Sequence, residues 1–246
     1  MRRWQVLLIA GLVGVFSLLL VPFEALSPTP VSATSFRPLA IINPAILTFL
    51  AVFIGELAAK RVGLSAPLVD AWRSFSEPAA VLRSQLLPAL IVAFVVAAVL
   101  VGYGATIGLR LMEGAGSQAR LARFDLPLAP KLLYGGITEE LLTRWALVSA
   151  FAWIGWRLAG RPKRVPIMVI ALAVIAAALI FAAGHLPLLF LIAPNATAST
   201  IAAVLTANAI PGVLFGLLFV RNGLEAGMMA HALAHLLATI GLYTLT

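Results

Sequence analysis

Of 246 residues, 62% are hydrophobic and 11% charged, against roughly 45–50% apolar and about 25% charged in a soluble domain; a water-soluble fold of this length could not hide so much apolar surface, so lipid must cover the rest. Cysteine is absent, which excludes disulfides, thiolate metal sites and cysteine nucleophiles. The formal net charge of +8 lies in short loops between apolar runs, a pattern of membrane topology and anionic-headgroup contact rather than of nucleic-acid binding.

Seven runs satisfy the roughly 17–25 residues that a bilayer core requires of a helix. They are Val6 to Phe23, Leu39 to Ala59, Leu86 to Leu109, Leu132 to Trp156, Val165 to Ala193, Ala196 to Val220 and Leu224 to Leu245. Pro187 and Pro194 make the fifth run either a kinked span or a span followed by a short re-entrant piece, so seven or eight helices are expected. The fold class is therefore an all-α, polytopic membrane bundle. No internal repeat or long linker divides it, and residues 1–246 read as a single transmembrane domain. It is expected in a cell inner membrane or an endoplasmic-reticulum-like membrane.

Loop charges set an orientation. Arg2, Arg3, Lys60, Arg61, Arg73, Arg83, Arg157, Arg161, Lys163, Arg164 and Arg221 fall on one side, which the positive-inside rule makes cytoplasmic. The stretch from Arg110 to Lys131 opposes this with Arg120 and Arg123, softened by Glu113 and Asp125. Within it, Gln118 to Phe124 has the pattern of a short interfacial amphipathic helix. The N-terminus also fits a cleaved secretory signal, with Arg2-Arg3 ahead of the apolar stretch and Val31-Ser32-Ala33 as the cleavage site. A retained first helix is the reading adopted.

An ionisable side chain in hydrocarbon costs about 2.5–3.5 kcal/mol and needs a reason. Deep in the predicted spans lie Glu139, Glu140 and Arg144 in the fourth, His185 in the fifth, and His231 and His235 in the seventh; every histidine of the chain is in this set. Glu140 and Arg144, four apart, share a helix face and can pair. Glu139 points about 100° away and has no obvious partner on its own helix, which suits a carboxylate to general-base work. His231 and His235 share a face by the same spacing. Gly135 and Gly136 permit close helix approach, or room for water and a substrate strand, and Gly212 with Gly216 forms a small-xxx-small packing face.

Glu139-Glu140-Leu-Leu-Thr-Arg144 fits EExxxR, Phe181-Ala-Ala-Gly-His185 fits FxxxH, and His231-Ala-Leu-Ala-His235 is close to HxxxN. In order and in span these motifs resemble those of the CPBP family of intramembrane glutamic endopeptidases, which includes the type II CAAX prenyl proteases and the Ras-converting enzyme. The resemblance covers the chain from about residue 130 to its end, leaving the first three spans without a recognised motif. It implies a membrane-embedded endopeptidase in which Glu139 activates water with help from His185. Glu140 and Arg144 would position that base, and His231 with position 235 would line an oxyanion hole. Position 235 departs from the family pattern, since His stands where Asn is usual; neutral imidazole still donates one hydrogen bond. The implied partner is a membrane-associated protein or peptide substrate, lipidated or not.

Other readings stand beside this one. His231 and His235, four apart, with His185 or a carboxylate could hold Zn²⁺, which would generate a hydroxide nucleophile, although HALAH lacks the internal glutamate of HExxH. No cofactor is therefore expected, with zinc as the alternative. A proton or ion transporter would also bury Glu and His, but the repeat symmetry of such folds is missing. A catalytically silent membrane scaffold is the third possibility. Glu56 is expected to pair with Lys60 at i,i+4 and carries no chemistry. Asn195-Ala-Thr197 fits a glycosylation sequon relevant only in a secretory setting. Trp145, Trp153 and Trp156 are expected in packing or in an interfacial belt.

Overall fold

A computed structural model describes residues 1–22, 33–108 and 126–245. The Gln118–Phe124 segment, most of the signal-like stretch around Val31, and the Arg120–Asp125 charges lie outside the described residues.

Helix α1 (Arg3–Ser17) runs into a 3-10 turn, Leu18–Leu20. Then come α2 (Ala33–Val62), a short α3 (Pro67–Ser74) and α4 (Pro78–Tyr103). Helix α5 opens at Leu128–Pro130, winds through π-helical turns at Lys131–Glu139 and Leu141–Val148, and ends as α-helix Ser149–Leu158. Helices α6 (Ile167–Ala183), α7 (Leu186–Ile192), α8 (Ala198–Asn222) and α9 (Leu224–Leu245) complete an all-helical bundle, with no strand among the described residues. The fifth run is thus a span followed by a short helix, broken at Gly184 and His185, with Pro187 in the first turn of the second piece.

Among the described residues, six helices are long and apolar enough to cross a membrane: Arg3–Leu20, Ala40–Val62, Pro78–Thr106, Ile167–Ile192, Ala198–Asn222 and Leu224–Thr244. The protein is a multi-pass integral membrane protein. The fourth expected run is helical throughout but too polar to join those six, because Glu139, Glu140 and Arg144 sit in its middle. Its surroundings explain how it tolerates them. Helix α5 packs against α1, α2, α6, α8 and α9, so protein rather than lipid meets its charged faces.

Two apolar clusters hold this arrangement. In one, Leu7 of α1, Val52 of α2, Val174 of α6 and Phe219 of α8 close around Leu141, Trp145 and Val148 of α5. In the other, an alanine stripe on α9, Ala226, Ala230 and Ala234, packs against Ala89, Ala93 and Val96 of α4. Small side chains let those two helices approach closely, and van der Waals contact drives association where lipid tails compete for apolar surface. The stripe also fixes the rotation of α9, because His231 and His235 each follow a stripe residue by one position and so face a neighbouring sector. Gly136 completes the approach: a Cβ there would lie 2.7 Å from that of Ala232. Gly212 and Gly216 pack on Ala178 and Val174 of α6, as the small-residue pattern predicts.

The basic ends of the helices gather at one end of the bundle. The amide of Leu224 donates to the Ser65 carbonyl at 3.1 Å, the Gln85 amide to the Asn222 carbonyl at 2.8 Å, and Arg61 lies over Trp153. The predicted Glu56–Lys60 pair is corrected here. Glu56 accepts two bonds from Arg3, Nε and Nη2 each at 2.9 Å, because a guanidinium fork on α1 matches a carboxylate better than a lysine on the same helix. Trp145 is fully buried, Trp153 lies between the guanidinium groups of Arg61 and Arg157, and the Trp156 indole donates to the Pro162 carbonyl.

Candidate active site

Glu140 is fully buried on α5. Its Oε1 lies 3.1 Å from Arg144 Nη1, one helical turn on, and accepts from Nδ1 of His231 on α9 at 2.8 Å. Among the described residues its Oε2 has no hydrogen-bond partner, and it rests where a Cβ on residue 227 would come within 2.9 Å, so a side chain there would displace the carboxylate. Arg144 is held on every side: Nη1 bonds the Thr143 hydroxyl, Nη2 donates to the Gly212 carbonyl of α8 at 3.0 Å, and its plane lies over Phe181 and Phe215. A buried charge pair supported in this way satisfies the condition under which burial is tolerated.

The chain of contacts continues outward. His231 stacks on Phe215 with ring centroids 4.6 Å apart, and its Nε2 lies 3.1 Å from Nε2 of His235. Since a carboxylate only accepts, Nδ1 of His231 carries a proton, and a single further proton lies between the two Nε2 atoms. Arg144, Glu140, His231 and His235 therefore form one row from the protein interior outward, an ion pair at its inner end and hydrogen bonds from Glu140 onward. Glu140 orients His231 directly, and Arg144 holds Glu140 in place.

Glu139 stands beside the row without joining it. Its side chain is 21% exposed, and Oε2 lies 3.9 Å from His231 Nε2. That is too long for a direct bond, but a water off the line between them can reach both atoms. His185 occupies the rim. Its Nδ1 donates to the Phe181 carbonyl at 2.9 Å, which leaves Nε2 of the neutral ring as an acceptor. Its ring meets the edge of Phe181, whose ring also faces His231. The structure thus brings Glu139, Glu140, Arg144, His231 and His235 together, with His185 joined through Phe181.

Both nitrogens of His231 and one of His185 are engaged within the protein, and among the described residues no group of three His, Cys, Asp or Glu side chains is gathered as a ligand set.

A second buried carboxylate escaped the sequence census. Glu225, in the first turn of α9, accepts from the Val69 amide at 2.8 Å and from the Gln85 amide at 3.3 Å. It caps α3, whose N-cap Ala66 makes no side-chain bond, from another helix. The available signal was a glutamate just inside an apolar span, two residues after Gly223. Together with the alanine stripe, this latch fixes how α9 presents its histidines.

Comparison with family models gives a match over residues 126–237 to the type II CAAX prenyl endopeptidase, Rce1-like family. Comparison with curated proteins and with solved structures gives no match.

Proposed function

We propose, from the premise that residues 126–237 are Rce1-like, that this protein is an intramembrane endopeptidase that hydrolyses a peptide bond of a membrane-associated substrate by glutamate-activated water. What carries the reading is the row Arg144–Glu140–His231–His235, ion-paired at its inner end and hydrogen-bonded from Glu140 onward, with the part-exposed carboxylate of Glu139 beside it, unbonded among the described residues. A buried relay of this kind exceeds what two helices need for packing, and it faces a carboxylate kept available for a proton.

In this mechanism water bound beside Glu139 gives its proton to the carboxylate as its oxygen attacks the scissile carbonyl carbon. His185 Nε2, free to accept, orients that water. Negative charge then develops on the carbonyl oxygen, and the proton shared by the Nε2 atoms of His231 and His235 turns to it as their contact opens, with Glu140 holding His231 in place. Collapse of the tetrahedral intermediate breaks the C–N bond, and the proton held by Glu139 passes to the departing amine. His at position 235 serves as donor where the family pattern has an amide.

Glu139→Gln in purified, detergent-solubilised protein should abolish cleavage while leaving unfolding unchanged, since Glu139 makes no ion pair shorter than 3.9 Å. Uncut precursors that accumulate in membranes of that variant, compared with wild type, name the substrate. A farnesylated reporter peptide and its unlipidated twin establish whether the lipid is read. Unchanged turnover by the Gln variant defeats the assignment.

A further inference from the structure

A cavity of ≈ 620 Å³ that shares no lining residue with the histidine row lies at the basic end of the bundle, between the start of α1, the end of α2 and α3. Four cationic side chains, Arg2, Arg3, Lys60 and Arg73, line it against two carboxylates, Glu56 and Asp70. Those carboxylates are already engaged. Glu56 takes both bonds from Arg3, and Asp70 meets Arg3 at 3.2 Å and Arg73 at 3.5 Å. Arg73 also donates to the Met1 carbonyl.

What remains free in the lining can donate. Among the described residues the guanidinium of Arg2, the ammonium of Lys60, the Trp4 indole N–H and the Ser65 hydroxyl have no hydrogen-bond or ion-pair partner. The cavity therefore offers a surplus of two positive charges and four unused donors, with its acidic groups turned to internal pairs. Trp72 and Phe75 stand exposed beside α3 at the same end, which is the depth at which aromatic side chains meet headgroups. Loop charges assign that end to the cytoplasm.

We infer that this cavity is a binding site for one phosphate-bearing anion, with Arg2 and Lys60 as its charge contacts and Trp4 and Ser65 as neutral donors. The shared chemistry is a phosphate monoanion or dianion, carried by an anionic phospholipid headgroup or free in solution. Lipid is the source that the aromatic flank favours. The site is independent of peptide-bond hydrolysis.

The test uses the full chain purified in a neutral detergent and presented with phosphatidylglycerol, phosphatidylcholine or inorganic phosphate. Native mass spectrometry counts bound lipid, and Trp4 fluorescence follows occupancy. Wild type should retain a single phosphatidylglycerol in preference to phosphatidylcholine, and R2Q/K60Q should bind it roughly thirtyfold more weakly. Both positions are exposed and unpaired, so folding should be unaffected; K60E alone, a charge reversal, should also abolish the preference. Displacement of the lipid by millimolar inorganic phosphate identifies the site as one for phosphate in general, and resistance to displacement identifies a lipid site. Equal binding of both lipids, or equal affinity in R2Q/K60Q, overturns the inference.

Discussion

Replacing Arg144 by methionine tests whether the buried row is held as the structure has it. The guanidinium lies 3.1 Å from Glu140 Oε1, bonds the Thr143 hydroxyl and the Gly212 carbonyl, and stacks on two phenylalanines. Methionine fills much of the volume but leaves Glu140 fully buried with His231 as its remaining partner. Removing one member of a buried ion pair costs about 3–5 kcal/mol. At about 1.4 kcal/mol per decade, that lowers the folded-to-unfolded ratio by roughly two to nearly four orders of magnitude. Reversible unfolding in mixed micelles measures it. Glu140→Gln in the same background removes the stranded charge while keeping an Oε1 acceptor for His231, so the double variant should recover most of the loss. Coupling of about 2–3 kcal/mol between the two sites is expected. If Arg144→Met costs under about 1 kcal/mol, in the range of a solvent-exposed pair, or if the double variant is no more stable than the single, the buried row does not exist as described.

Gly136→Ala places a Cβ 2.7 Å from that of Ala232; forcing α5 from α9 should cost about 1–3 kcal/mol and reduce peptide cleavage, read in paired unfolding and turnover assays. Glu225→Ala strands the Val69 amide and leaves the Gln85 amide with only the Asn222 carbonyl, at about 1–3 kcal/mol in thermal unfolding, whereas Glu225→Gln keeps one acceptor and should lose less. His235→Asn retains an N–H donor and should keep measurable turnover, while His235→Ala should lose at least about tenfold with little change in unfolding. Gly227→Ala drives a methyl against Glu140 Oε2 and should lower kcat more than it raises KM for a reporter peptide.

Composition alone determined that this chain lives in lipid, since 62% hydrophobic residues exceed what one soluble core can bury. Periodicity placed Glu140 with Arg144 and His231 with His235, because residues four apart share a helix face whatever surrounds the helix. Motif order pointed to a family, and a model of that family matches residues 126–237. Partner choice across helices was out of reach. Glu56 had a lysine four residues away and took an arginine 53 residues away, and Glu225 became a cap for a helix that starts 158 residues earlier at Pro67. The π-helical winding of α5 and the engagement of Glu140 with His231 likewise have no local signature. A sequence period fixes the direction in which a side chain leaves its own helix; what it meets there depends on how neighbouring helices rotate and how closely they approach. Here Gly136 and the α9 alanine stripe set both.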